Sequence, residues 1–85
     1  MLSHIRDTLE LYAVSSTSLA EYSARCRPGE VVVGGGWWDI SRVLVVKGNY
    51  SGELVGRSRG EWVVLARTRL TPGTLWVQAV CAKEN

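Results

Sequence analysis

The stretch EWVVLARTRLTPGTLWVQAVCA, Glu61–Ala82, decides the fold. On both sides of Thr71-Pro72-Gly73-Thr74 the apolar residues recur every second position, the period of a strand rather than a helix. Pro72 presets its φ and Gly73 tolerates a positive one, so the four residues read as a turn. A tight antiparallel connection there predicts Leu70 opposite Leu75, Ala66 opposite Ala79 and Val64 opposite Cys81. One face then carries Trp62, Val64, Ala66, Leu70, Leu75, Val77, Ala79 and Cys81, a core face. The other carries Val63, Leu65, Arg67, Arg69, Trp76, Gln78 and Val80. A solvated sheet face turns polar. This one mixes aliphatics, a tryptophan and two arginines, the blend of a protein interface. Arg69 is expected opposite Trp76, within cation–π reach. Two covers fit such a face: another segment of the same chain, such as the N-terminal strand, or a partner chain.

Working outward, further strands are expected near Thr8–Val14, Glu21–Cys26, Glu30–Gly35, Val43–Lys47 and Glu53–Arg57, beside Glu61–Leu70 and Leu75–Ala82. Gly, Pro, Asn and Ser punctuate the gaps. Gly29-Glu30, Gly52-Glu53 and Gly60-Glu61 each read as a turn glycine releasing a strand with a polar first side chain. SHIRDTLELY competes as a short helix capped at Ser3, but the alternation of Leu9, Leu11 and Ala13 favours a strand. The expectation is all-β: a small antiparallel sandwich or barrel of about six or seven strands. Residues 1–85 form one domain, in which 1–14 either complete the sandwich or reach out as an arm to a neighbour.

The chain is short, 85 residues, so its core is modest and a crosslink or partner is expected to help. Four Trp, three Tyr and no Phe suit half-wet surfaces and interfaces. Eight of the ten basic residues are arginine, but the net charge of +2 is too small to argue for nucleic acid. No apolar run approaches the ~20 residues of a membrane span, and the start lacks a basic segment followed by an apolar one.

Cys26 and Cys81 each end a strand on an inward face. They are either crosslinked or two buried thiols packing as small hydrophobes. The crosslink is the preferred reading, because closing so long a loop adds roughly 4 kcal/mol to a small domain. It implies an extracellular, virion-surface or thermophilic setting.

In CRPGEVVVGGGWW, Cys26–Trp38, a turn leads into three valines that read as a strand buried on both faces. The glycines then let the backbone bend or let a tryptophan lie close above it. Trp37 and Trp38 point to opposite faces, one to the core and the other as a candidate contact for sugar or protein. Cys26, Pro28, Gly29 and Val31 to Gly36, followed by Gly60, Trp62, Val64, Val77, Ala79, Cys81 and Ala82, carry a resemblance. The pattern resembles small disulfide-tied β-sandwich domains of bacterial secreted and surface proteins, some phage-associated. It covers about the last two thirds of the chain, and Arg27 before Pro28 departs from it. The resemblance implies a sandwich without established catalytic residues.

No catalytic constellation stands out. The single His4 has no evident nucleophile and acid beside it. GGGWW lacks the Lys-Ser/Thr of a phosphate loop. Two Cys and one His do not make a four-ligand metal site, and no cofactor is expected. Arg57, Arg59, Arg67 and Arg69 near Trp offer a polyanion site or, more simply, ion pairs with Glu53, Glu61, Asp39 or another subunit. A non-enzymatic structural protein is therefore expected. A virion surface, decoration or tail component, assembling as a homo-oligomer or on a larger shell through the Val63–Val80 face, is the leading form. A secreted or cell-surface module binding carbohydrate through Trp37 or Trp38 is the alternative.

Overall fold

In the computed structural model, which describes residues 2–84, six strands form two three-stranded antiparallel sheets. The strands are β1 (Leu2–Val14), β2 (Ala20–Arg25), β3 (Glu30–Asp39), β4 (Leu44–Ser51), β5 (Glu61–Thr68) and β6 (Gly73–Glu84). One sheet has the order β1-β6-β3 and the other β2-β5-β4. Their inward faces bury Val14, Ala24, Val64, Ala66, Leu75, Val77, Ala79 and Cys81. Three of these are alanines, so the layers lie close, and the molecule is a slab of 45 × 23 × 15 Å.

The disulfide between Cys26 and Cys81 joins the end of β2 to the centre of the other sheet, with Cα atoms 5.7 Å apart. A buried crosslink of this kind belongs to an oxidising, extracellular-type environment.

β5 and β6 do bury the two expected sets of alternating side chains, but they are not a hairpin. Each is the central strand of a different sheet, and Thr71-Pro72-Gly73-Thr74 crosses between layers. The Thr68 hydroxyl donates to the Thr71 carbonyl within this crossing. Val64 and Cys81 therefore line the same core from different sheets rather than pairing side by side. Period-two patterning specifies which face is buried; it does not distinguish a neighbour beside a strand from one across the core. Leu70 falls beyond β5 and is exposed.

The segment expected as a strand over Glu53–Arg57 is instead a short 3-10 turn, Gly52–Val55. Ser51 accepts from the Glu53 amide at its start, and Gly56, at φ 78°, ends it in the left-handed region where glycine carries no steric cost. Residues 31–33 are not buried on both sides either. β3 is an edge strand, and its pairing with β6 slips between Val32 and Gly34, which turns Val33 outward.

The glycine run has a definite job at Gly35. The indole of Trp62, from β5, lies directly on this residue, and a Cβ there would overlap Trp62 Cγ and Cδ2. Of the two readings of the glycines in CRPGEVVVGGGWW, the overlying tryptophan is the one that occurs, at Gly35, while the slip in pairing falls just before them at Val33. Trp62 Nε1 is buried without an acceptor, a cost accepted for the close contact of the two layers.

Candidate interaction surface

Each sheet has an outward face, and the residues expected to share one are divided between the two. Val63, Leu65 and Arg67 belong to β5 and the β2-β5-β4 sheet; Trp76, Gln78 and Val80 belong to β6 and the other. Arg69 lies in the crossing loop, so the expected pairing with Trp76 is not formed; the residue opposite Trp76 is Leu11 on one side and Trp38 on the other.

Toward the Arg25 end of the β2-β5-β4 face, charge is satisfied internally, while Arg67 at the other end has no carboxylate partner among the described residues. Glu61 sits nearly buried, accepting from Arg25 Nε at 2.7 Å and from Arg57 Nε at 3.0 Å. Arg57 also donates to Glu21 at 3.0 Å. Tyr50 approaches the same carboxylate from β4 on the far side of β5. These side chains strap the central strand, and Val63 beneath them is fully buried. The Glu61 carboxyl is held below its ordinary value by its hydrogen bonds to Arg57, which outweigh the opposing effect of burial, with Arg25 adding to them. Arg57 is correspondingly raised, first by Glu61.

The β1-β6-β3 face is built differently. Strand register sets Leu11, Trp76 and Trp38 in one row across the sheet, then Leu9, Gln78 and Gly36, then Asp7, Val80 and Gly34. Leu11 is 54 % exposed and Trp38 58 %, and Leu9 is exposed as well. Gly34 and Gly36 leave the β3 side of this surface bare, a flat shelf bordered by Trp38. N-terminal residues from β1 supply Leu9 and Leu11. They do not cover Trp76; they widen the apolar surface around it. Met1 lies outside the described residues. Trp37 turns the other way, on the side of Val77, but stands at the open edge, 39 % exposed, rather than in the core.

Two further clusters complete the picture. Arg6 and Glu30, from the two strands flanking β6, pair at 2.6 Å across it beside the disulfide. Glu30 lies below its ordinary pKa, chiefly through this bond. Its carboxylate and the two sulfurs lie within 4.8 Å of one another, but the sulfurs are bonded together and Arg6 holds the carboxylate, so the group offers no thiolate ligand. Of the four arginines considered for a polyanion, Arg57 and Arg59 are paired with acids, Arg59 with Glu84. Among the described residues no helix is long and apolar enough to cross a membrane.

Compared with known proteins, the chain matches no family model, no curated protein and no solved structure. What sequence reasoning missed is the contribution of Leu9 and Leu11. Their alternation was legible, but placing them beside Trp76 required knowing that β1, not β5, pairs with β6.

Proposed function

We propose that this protein is a non-enzymatic assembly component whose copies pack through the outward face of the β1-β6-β3 sheet. The row Leu11–Trp76–Trp38 carries the reading: the exposed Leu11 and Trp38 stand on either side of a half-buried Trp76 on one outward sheet surface. Sheets pack face to face when both surfaces are apolar and flat, and a two-fold arrangement lets one such face serve both partners. Trp is also the residue most enriched at the energetic centre of interfaces. The opposite face, with its ion pairs closed on themselves, presents no comparable demand.

The setting we favour is a virion surface or tail, where small crosslinked sandwiches decorate a larger shell. The disulfide supports it, since a crosslinked sandwich suits an exposed, oxidising setting. Sedimentation velocity tests the assembly reading. The wild type is expected to associate with rising concentration, and Leu11→Arg to remain monomeric while keeping its circular dichroism. A wild type that stays monomeric throughout overturns it.

One observation favours a second reading, a carbohydrate-binding module. The exposed Trp38 indole stands beside the bare Gly36 and the Gln78 amide, an aromatic platform with a hydrogen-bonding group. A glycan array on which Trp38→Ala abolishes a wild-type signal supports that reading, and an array without any signal removes it.

A further inference from the structure

The strand connections gather at two poles of the slab, and charge is distributed unequally between them. Toward the disulfide pole lie the ion pairs of Arg6, Arg25, Arg57 and Arg59 with glutamates. The opposite pole is made by three connections, residues 15–19, 40–43 and 69–72. There Arg42 and Arg69 flank a cleft of about 360 Å³ whose walls include Val43, Leu44, Leu70 and Thr71. Among the described residues, no carboxylate pairs with Arg42, Arg69 or nearby Arg67.

Asp39 is the acid in this region, and its oxygens are already engaged. It accepts from the Ser41 hydroxyl at 2.7 Å and from the amides of Arg42 and Leu44 at 2.8 and 2.9 Å. Arg42 itself occupies φ 61°, a region that glycine enters at lower cost. Between the arginines stands Leu70, 92 % exposed, the most exposed large apolar residue described. Leu19 and Ile40 project from the other two connections.

We propose that this pole docks on an anionic lipid bilayer, with Arg42 and Arg69 receiving head-group phosphate and carboxylate and Leu70 entering the interfacial layer. Aliphatic side chains ringed by unpaired cations match that surface: the charges meet anionic lipid, and the apolar tip gains from burial at the head-group boundary. A single-stranded nucleic acid fits less well, because its bases need aromatic platforms and the three connections contain none. Docking end-on, along the 45 Å axis, leaves the apolar sheet face free, so this inference is independent of the proposed assembly.

Co-sedimentation with vesicles tests it. One set is phosphatidylcholine alone; the other carries a third of its lipid as phosphatidylserine. Binding is expected only with the anionic vesicles, and it should fall as salt rises. Each charge reversal, Arg42→Glu or Arg69→Glu, should lower the partition coefficient by about fivefold or more. Leu70→Ser should lower it by about tenfold. Leu54→Ser, which removes an exposed apolar side chain on the 3-10 turn at the other pole, should leave it unchanged. Should Arg42→Glu disturb its loop, Arg69→Glu and Leu70→Ser carry the test alone. The inference is overturned by absent binding, by equal binding to both vesicle types, by binding that survives Arg69→Glu and Leu70→Ser, or by tighter Arg69-dependent binding of a single-stranded oligonucleotide.

Discussion

The two outward sheet faces belong to sheets of the same size, yet they solve the problem of exposure in opposite ways. On β2-β5-β4, Glu61 holds Arg25 and Arg57, Glu21 holds Arg57 again, and Tyr50 closes over the central strand. Apolar Val63 is thereby buried without any second molecule. On β1-β6-β3, Leu9, Leu11 and Trp38 stay exposed around a half-buried Trp76. A face that completes itself is a wall; one left apolar over three strands is what the proposed assembly would cover. The difference teaches that an apolar residue on an outward strand position is not by itself an interface signal. Val63 and Trp76 look equivalent in sequence, and only the charged neighbours of Val63 distinguish them.

The strongest way to break this comparison is to separate the layers that carry the two faces. Replacing both Cys26 and Cys81 by Ala should cost roughly 4 kcal/mol, read from the urea midpoint, because the crosslink closes a loop with 55 residues of sequence separation. Next in size is Gly35→Val, which drives a side chain into the Trp62 ring and should cost about 1–3 kcal/mol. Both changes reach the two faces together.

Changes on one face sharpen the contrast. Glu61→Gln should cost about 1–2 kcal/mol, since it weakens three charged hydrogen bonds from two arginines, of which Arg25 is largely exposed, and it should leave association intact. The same group sets a pH dependence. Its folded pKa lies below the ordinary 4.5, so its contribution is complete above that value and is lost as pH falls through the lowered one. Glu30, lowered by Arg6, acts in the same direction. Chemical denaturation should therefore give a flat midpoint from neutral pH down to about 5 and a fall below about 4, with the acid fall reduced in Glu61→Gln. Smallest for stability is Leu11→Arg: within about 0.5 kcal/mol of wild type, because the side chain is already exposed. Its effect should appear in association alone.

Much of the fold was legible because burial imposes a period. The inward sets on β5 and β6 and the all-β class follow from alternation, and the inward period-two positions of Cys26 and Cys81 make their crosslink the preferred reading, although β6 runs on past Cys81 to Glu84 and Cys26 lies just beyond β2. Strand neighbours were not legible. Thr71-Pro72-Gly73-Thr74 supports a hairpin or a crossing equally well, and the choice depends on β1 and β3 occupying both edges of β6. That one ambiguity divided the expected Val63–Val80 face between opposite sides of the slab. It also hid Leu9 and Leu11 from the surface they belong to. The 3-10 turn at Gly52–Val55 was missed for a local reason: Gly52-Glu53 looks like Gly29-Glu30 and Gly60-Glu61, but the Ser51 cap and Gly56 close it on itself.

Hydroxyl-radical footprinting at low and high protein concentration compares the two faces within one sample. Oxidation of Trp38, Trp76, Leu9 and Leu11 should fall as concentration rises, while that of Tyr50 on the opposite face stays constant. Equal oxidation of Trp38 and Trp76 at both concentrations, or protection centred on Tyr50, would contradict assembly through the β1-β6-β3 face.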